Sequence, residues 1–220
     1  MEPILVEPAP PPKPTTVVID PGHGGSDTGV LGVNGLKEKE VVLAVAERIV
    51  RLSEPINTIK IAITREARDV EWSDATRVNF TLTKTQADLF ITLHTGASYS
   101  PTARGFELYI AAPTTDTTGS TNKPPSDAGK SSATQNASLK LAEKIATALS
   151  ASSGASARGI RRVPFRILNS LNIPAVAIEI GVLTNPEDEK LLASDEFRDK
   201  IAQGILAGIQ EYLAETGGSP

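Results

Sequence analysis

Cysteine is absent from all 220 residues. Disulfides, Cys-ligated zinc and thiol nucleophiles are therefore excluded together, although the compartment stays open because many exported proteins also lack disulfides. An excess of positive charge is missing too. Lys and Arg total 22 against 26 Asp and Glu, a net charge of -4, which gives a nucleic-acid partner no electrostatic support. No apolar run reaches the roughly 18 to 20 residues that span a bilayer. Met1 is followed at once by Glu2 and Pro3, without the basic region and apolar core of an export signal. An exported protein would carry this chain as its trimmed form with an added start Met. Three catalytic signatures are also lacking. There is no HExxH helix and no G-x-S-x-G elbow. The stretch GHGGSDTG places Asp27 where a dinucleotide fingerprint needs Gly or Ala, and no P-loop Lys-Ser/Thr follows.

What is present suits one soluble domain with a sizeable core, at 40% hydrophobic and 22% charged residues. Residues 1–14 are proline-dominated and read as an extended linker. The folded region is expected from Thr15 to about Leu213, with a frayed tail over 215–220. Residues 113–134, rich in Thr, Ser, Gly, Pro and Asp, read as a long mobile surface loop. Between these segments strand and helix signals alternate. Apolar runs at 15–20, 59–65, 87–94, 105–111 and 174–181 predict strands. Helical spacing predicts helices over 38–53, 137–150 and 195–213, with a weaker one over 72–85. Asn185-Pro186 is expected to cap and open a short helix. This alternation predicts an α/β domain around a largely parallel sheet.

The chain holds only two histidines. His23 follows the strand TTVVID inside the loop PGHGG, and His94 ends the strand ADLFITLH. Sites in open α/β sheets form beyond the carboxyl ends of strands, so both imidazoles can meet at one rim. Glu179, within AVAIEIG, and Glu38, opening the first helix, can reach the same rim. Each has a plainer reading: His23 as a turn residue, His94 satisfying a backbone carbonyl, Glu38 complementing a helix dipole. Glu179 is harder to dismiss, because a carboxylate in a buried strand needs a cation, a metal or several donors. Two imidazoles and one carboxylate commonly hold catalytic zinc, a second carboxylate can move protons, and Gly22, Gly24, Gly25 and Gly29 permit a sharp turn beside an ion.

In order and spacing, IDPGHGGSDTGVLGVNGLKEKEVVLAVA, ADLFITLHTGAS, GFELY and IPAVAIEIGVLTNPEDEKLL resemble the zinc-dependent N-acetylmuramoyl-L-alanine amidases (amidase type 3) of bacterial cell-wall turnover. The resemblance covers nearly all of 16–213. It implies a single domain with a mixed, mostly parallel sheet flanked by helices, and hydrolysis of the amide between N-acetylmuramic acid and L-alanine in peptidoglycan. By that resemblance His23, Glu38 and His94 are the Zn2+ ligands and Glu179 the catalytic carboxylate. Glu40 is the rival second ligand, and only family spacing favours Glu38. The chain departs from the family at Gly96, where Asn is usual, and at Ile180-Gly181-Val182, where Thr-Gly-Phe is usual. Some members block the zinc with a helix after the GFELY-like strand. Here that segment is the 113–134 stretch without an apolar face, so an open site is expected. A monomer, exported to the periplasm or cell wall, is the expectation. A catalytically silent peptidoglycan-binding module and a zinc hydrolase of another peptide amide are the alternatives.

Overall fold

The computed structural model describes residues 13–66, 70–112 and 131–217. They form a single α/β domain around a six-stranded sheet with order β2-β1-β3-β6-β4-β5. The strands are β1 (Thr15–Pro21), β2 (Ile59–Ile63), β3 (Leu89–Gly96), β4 (Phe106–Ala111), β5 (Ala157–Val163) and β6 (Ala175–Val182). All neighbours run parallel except β4 against β6. The mixed, mostly parallel sheet is therefore as expected.

Physical reasons for the layering are plain in the strands. β1 is buried at every position, as a central parallel strand with both faces covered must be. One face packs on helices α1 (Glu38–Ser53), α3 (Ser132–Ser153) and α6 (Asp195–Thr216), through Val45, Ile49, Leu141, Ile145, Ile205 and Ile209. The other face meets a smaller cluster, including Phe90, Ala177, Leu168 and Leu171, beneath α2 (Asp74–Asn79) and the single turn α4 (Arg166–Asn169). A π-helical turn, 80–84, extends α2 within the expected 72–85 helix. Asn185 caps α5 (Pro186–Ala193) by accepting from the Glu187 and Asp188 amides.

Two segment boundaries and two whole elements differ most from the sequence reading. Ser131 to Thr134, expected at the end of the mobile loop, instead cap and open α3, with the Ser131 hydroxyl accepting from the Thr134 amide. The rest of that loop, 113–130, lies outside the described residues, as do 1–12 of the proline-rich linker. Glu215 and Thr216, expected in the frayed tail, complete α6, because buried Tyr212 and Leu213 anchor its last turns and Gly217 closes it in a left-handed conformation. β5 and α4 were not expected. β5 (ARGIRRV) is an edge strand paired on one side only, so it needs no apolar alternation to form.

Candidate active site

The parallel register brings three strand ends to one rim. Pro21 at the end of β1 pairs with Leu93, and the Gly22 amide donates to the Leu93 carbonyl at 2.9 Å. His94 is the register partner of Glu179 on β6. The chain then turns at His23, which takes a left-handed φ of 61°, and its ring meets that of His94 edge-on, with centroids 5.0 Å apart at 85°.

Two buried arginines hold this turn. Arg77 donates to the carbonyls of Pro21 (3.1 Å) and His23 (2.8 Å), and Arg65 to those of Pro21 (3.0 Å) and Gly22 (2.9 Å). Burial, helped by the neighbouring Arg77 charge, pulls Arg65 down to about 10, which leaves it a cation at neutral pH. Arg77 is neutralised by Asp20, itself 1% exposed and also accepting from the Thr64 and Thr92 hydroxyls. The His23 loop is thus clamped by cations whose counter-charge lies inside the sheet.

Glu38 is the hinge of the cluster. It is 1% exposed at the first position of α1, yet its carboxylate turns away from its own helix. Oε2 accepts from the Val30 amide at 2.7 Å and Oε1 from the Thr95 amide at 2.8 Å. Oε1 also lies 3.1 Å from His23 Nε2 and 3.0 Å from His94 Nδ1. Burial would push the Glu38 carboxyl up, but hydrogen bonds with His23 and His94 hold it far below the carboxylate range. His23 moves the other way: burial lowers its pKa, and the hydrogen bonds to Glu38 and Asp27 outweigh that and raise it. Gly29, at φ +64°, makes the packing possible, since a Cβ there would sit 2.5 Å from Glu38 Oε2 and 2.6 Å from His23 Cδ2.

These donors fit a metal ion. Among the described residues, His23, Glu38 and His94 form a group whose ligand atoms all lie within 4.8 Å of one another. A tetrahedral site with bonds near 2.0–2.1 Å needs donor separations of about 3.3 Å, close to the two N–O contacts seen. Glu40, the rival second ligand, is half-buried and stands outside the group. Asp27 supplies an outer contact: its Oδ2 lies 2.7 Å from His23 Nδ1, while Oδ1 accepts from the Gly29 amide. A carboxylate on Nδ1 fixes the tautomer that leaves Nε2 free as a ligand.

Beside this group, Glu179 lines a cavity of about 630 Å³ with His23, Glu38 and His94. Burial pushes its carboxyl up, against the Tyr109 hydroxyl and the Arg158 charge, which pull it down. Arg158 Nη1 lies 3.8 Å from Glu179 Oε2. Glu107, 2% exposed and the register partner of Glu179 on β4, gathers the surrounding donors. It accepts from Tyr109 at 2.9 Å, pairs with Arg158 at 3.3 Å and bonds to Arg161 Nε. Gly96 leaves room for Glu179: a Cβ there would meet Glu179 Oε2 at 2.7 Å.

All four residues singled out in the sequence thus meet at one rim. Asp27, Glu107, Arg158, Tyr109 and the Asp20–Arg77 pair were missed as site residues. Asp27 had a signal, its four-residue spacing from His23. Glu107 and Tyr109 share the two-residue spacing of one strand face, but the ion pairs span 54 residues for Glu107 and Arg161 and 57 for Asp20 and Arg77, which no local pattern shows.

A family model described as N-acetylmuramoyl-L-alanine amidase matches residues 17–211. The N-acetylmuramoyl-L-alanine amidase LytC of Bacillus subtilis is 33% identical over 198 residues, 90% of this chain and 35% of its own length. The amidase AmiC of Neisseria meningitidis is 30% identical over 90% of this chain and 52% of its own length. The chain therefore spans between about a third and about half of these two curated relatives. Among solved structures, the amidase AmiC2 of Nostoc punctiforme superposes with a TM-score of 0.76 at 28% identity, covering 91% of this chain and 97% of that one. An amidase from Clostridium difficile 630 gives 0.78 at 26% identity, covering 94% and 100%.

Proposed function

The chain belongs to the N-acetylmuramoyl-L-alanine amidase family, and from that premise we propose that it hydrolyses the amide joining N-acetylmuramic acid to L-alanine in peptidoglycan, with zinc held by His23, Glu38 and His94. The observation that carries this reading is the convergence of two imidazoles and a buried carboxylate beside Glu179 in one open cavity. Zinc bound there supplies a Lewis acid that polarises the amide carbonyl and lowers the pKa of water.

The chain's own groups supply the rest. Asp27 and Glu38 orient His23, and the Thr95 and Val30 amides fix Glu38. Glu179 stands as general base, its proton affinity raised by burial. It takes a proton from the attacking water and hands it to the departing alanine nitrogen. Arg158 lies against the Glu179 carboxylate, and Glu107 holds Arg158 and Tyr109 in place beside it. Because peptidoglycan lies outside the cytoplasmic membrane, this reading places the protein in the periplasm or at the wall. No helix of the described residues is long and apolar enough to cross a membrane.

The test is release of new L-alanine amino termini from purified cell wall. A chelator should stop it and added zinc restore it. Glu179→Ala should lower turnover by at least about a hundredfold while zinc stays bound, whereas His94→Ala should lose metal and turnover together. Undiminished turnover in Glu179→Ala, or in metal-free protein, would reject the assignment.

A further inference from the structure

Within a chain of net charge -4, the ten residues 157–166 (ARGIRRVPFR) contain four arginines and no acid. They form the edge strand β5 and the start of α4, along one wall of the cavity. Two of the arginines are already committed. Arg158 pairs with Glu107 and approaches Glu179, and Arg161 is bound to Glu107. Arg166 is not. It lines the cavity, is exposed, and among the described residues its guanidinium makes no hydrogen bond or ion pair. Asp27 and Asp74 line the same cavity, and neither forms an ion pair with it. Beside it Phe165 is 42% exposed, with its ring 5.5 Å from that of Tyr109. This end of the cavity therefore offers an uncommitted planar cation next to an aromatic wall.

The chemistry of the substrate gives that cation one kind of partner. On the glycan side of the scissile bond, the single carboxyl of N-acetylmuramic acid is consumed in the amide. Any free carboxylate belongs to the peptide side. We propose that Arg166 is a carboxylate subsite for the peptide portion of the substrate, so that the peptide lies along the Phe165–Tyr109 wall and the glycan on the opposite side of the metal group. This rests on the amidase reading. A guanidinium suits the role because its fork matches a carboxylate in two parallel hydrogen bonds.

The test uses two N-acetylmuramoyl tripeptides, one with its carboxylates free and one with all of them converted to carboxamides. The zinc-loaded wild-type protein should prefer the free-carboxylate probe in kcat/KM by about twofold to fivefold, the range an exposed ion pair supports. The preference should reside in KM and shrink as salt is raised. Arg166→Ala should cut both probes equally with kcat and zinc content unchanged, Arg166→Lys should keep part of the preference, and Arg166→Glu should reverse it. An undiminished preference in Arg166→Ala, or none in the wild type, overturns the subsite and leaves the amidase reading standing. Failure of the wild type to cut either probe overturns the reaction on which the subsite rests.

Discussion

Arg77→Met should destabilise the domain and loosen the proposed zinc site in one step. The Arg77 side chain is 6% exposed and its partner Asp20 1%. Removing it leaves the Asp20 carboxylate, among the described residues, with the Thr64 and Thr92 hydroxyls and the charge of neighbouring Arg65 in place of its ion-pair partner. It also strips a donor from the Pro21 and His23 carbonyls. Breaking a buried ion pair from one side costs about 3–5 kcal/mol. For a domain of this size that corresponds to a fall in melting temperature of about 6–20 °C. Urea unfolding of the metal-free protein measures the first effect. Adding Asp20→Asn should recover about 1 kcal/mol or more, because the amide can accept from one threonine hydroxyl and donate to the other and removes the stranded charge. The second effect is read by zinc titration of the folded variant below its melting point. Losing the anchor on the His23 carbonyl should weaken zinc binding about tenfold to a hundredfold, as outer contacts of metal ligands do. A loss under about 1 kcal/mol, with the two substitutions simply additive, would refute the clamp.

Other outcomes follow from the same geometry. Gly96→Ala places a methyl group 2.7 Å from Glu179 Oε2, too close for that carboxylate to stay where it is. The carboxylate can swing aside, so stability should barely change, while kcat falls about tenfold to a hundredfold from the displaced base and zinc content stays constant. Gly29→Ala should be worse, because the added carbon meets Glu38 and His23 together at positive φ; loss of zinc binding and about 1 kcal/mol or more of stability is expected, measured by metal analysis and urea unfolding. Glu107 sets an acid limit. Burial would raise its carboxyl, but hydrogen bonds from Arg161 and Tyr109 and the Arg158 charge hold it below its ordinary 4.5. Its contribution is therefore complete above about pH 4.5 and is lost as pH falls through the lower folded value. Glu107→Gln should flatten that part of a stability–pH curve.

The central strands were legible because burial on both faces writes a near-continuous apolar run, as in TTVVID and ADLFITLH. β5 and α4 were not, since an edge strand rich in arginine and a single helical turn carry no hydrophobic period. At the site, Glu38 and Glu40 could be told apart only by family spacing, whereas in the fold Glu38, and not Glu40, joins the group with His23 and His94. The family resemblance alone carried the peptidoglycan expectation, whereas two imidazoles and a carboxylate pointed to zinc by themselves. Arg77 and Glu107 were illegible for a different reason. Each is an ordinary charged residue in sequence, and only the folded sheet gives it an opposite charge to answer.

The charged margin formed by β5 has a bearing on how such a domain survives at work. A sheet ends in a row of unsatisfied amides that a neighbouring molecule can pair with and extend. Here that row sits in a strand bearing Arg158, Arg161 and Arg162, and the β4–β5 ladder slips register between Phe106 and Leu108. Like charges facing one another across two such margins repel, and the slip bends the strand out of line. Two copies of this domain meeting margin to margin at β5 are therefore discouraged from joining into one continuous sheet.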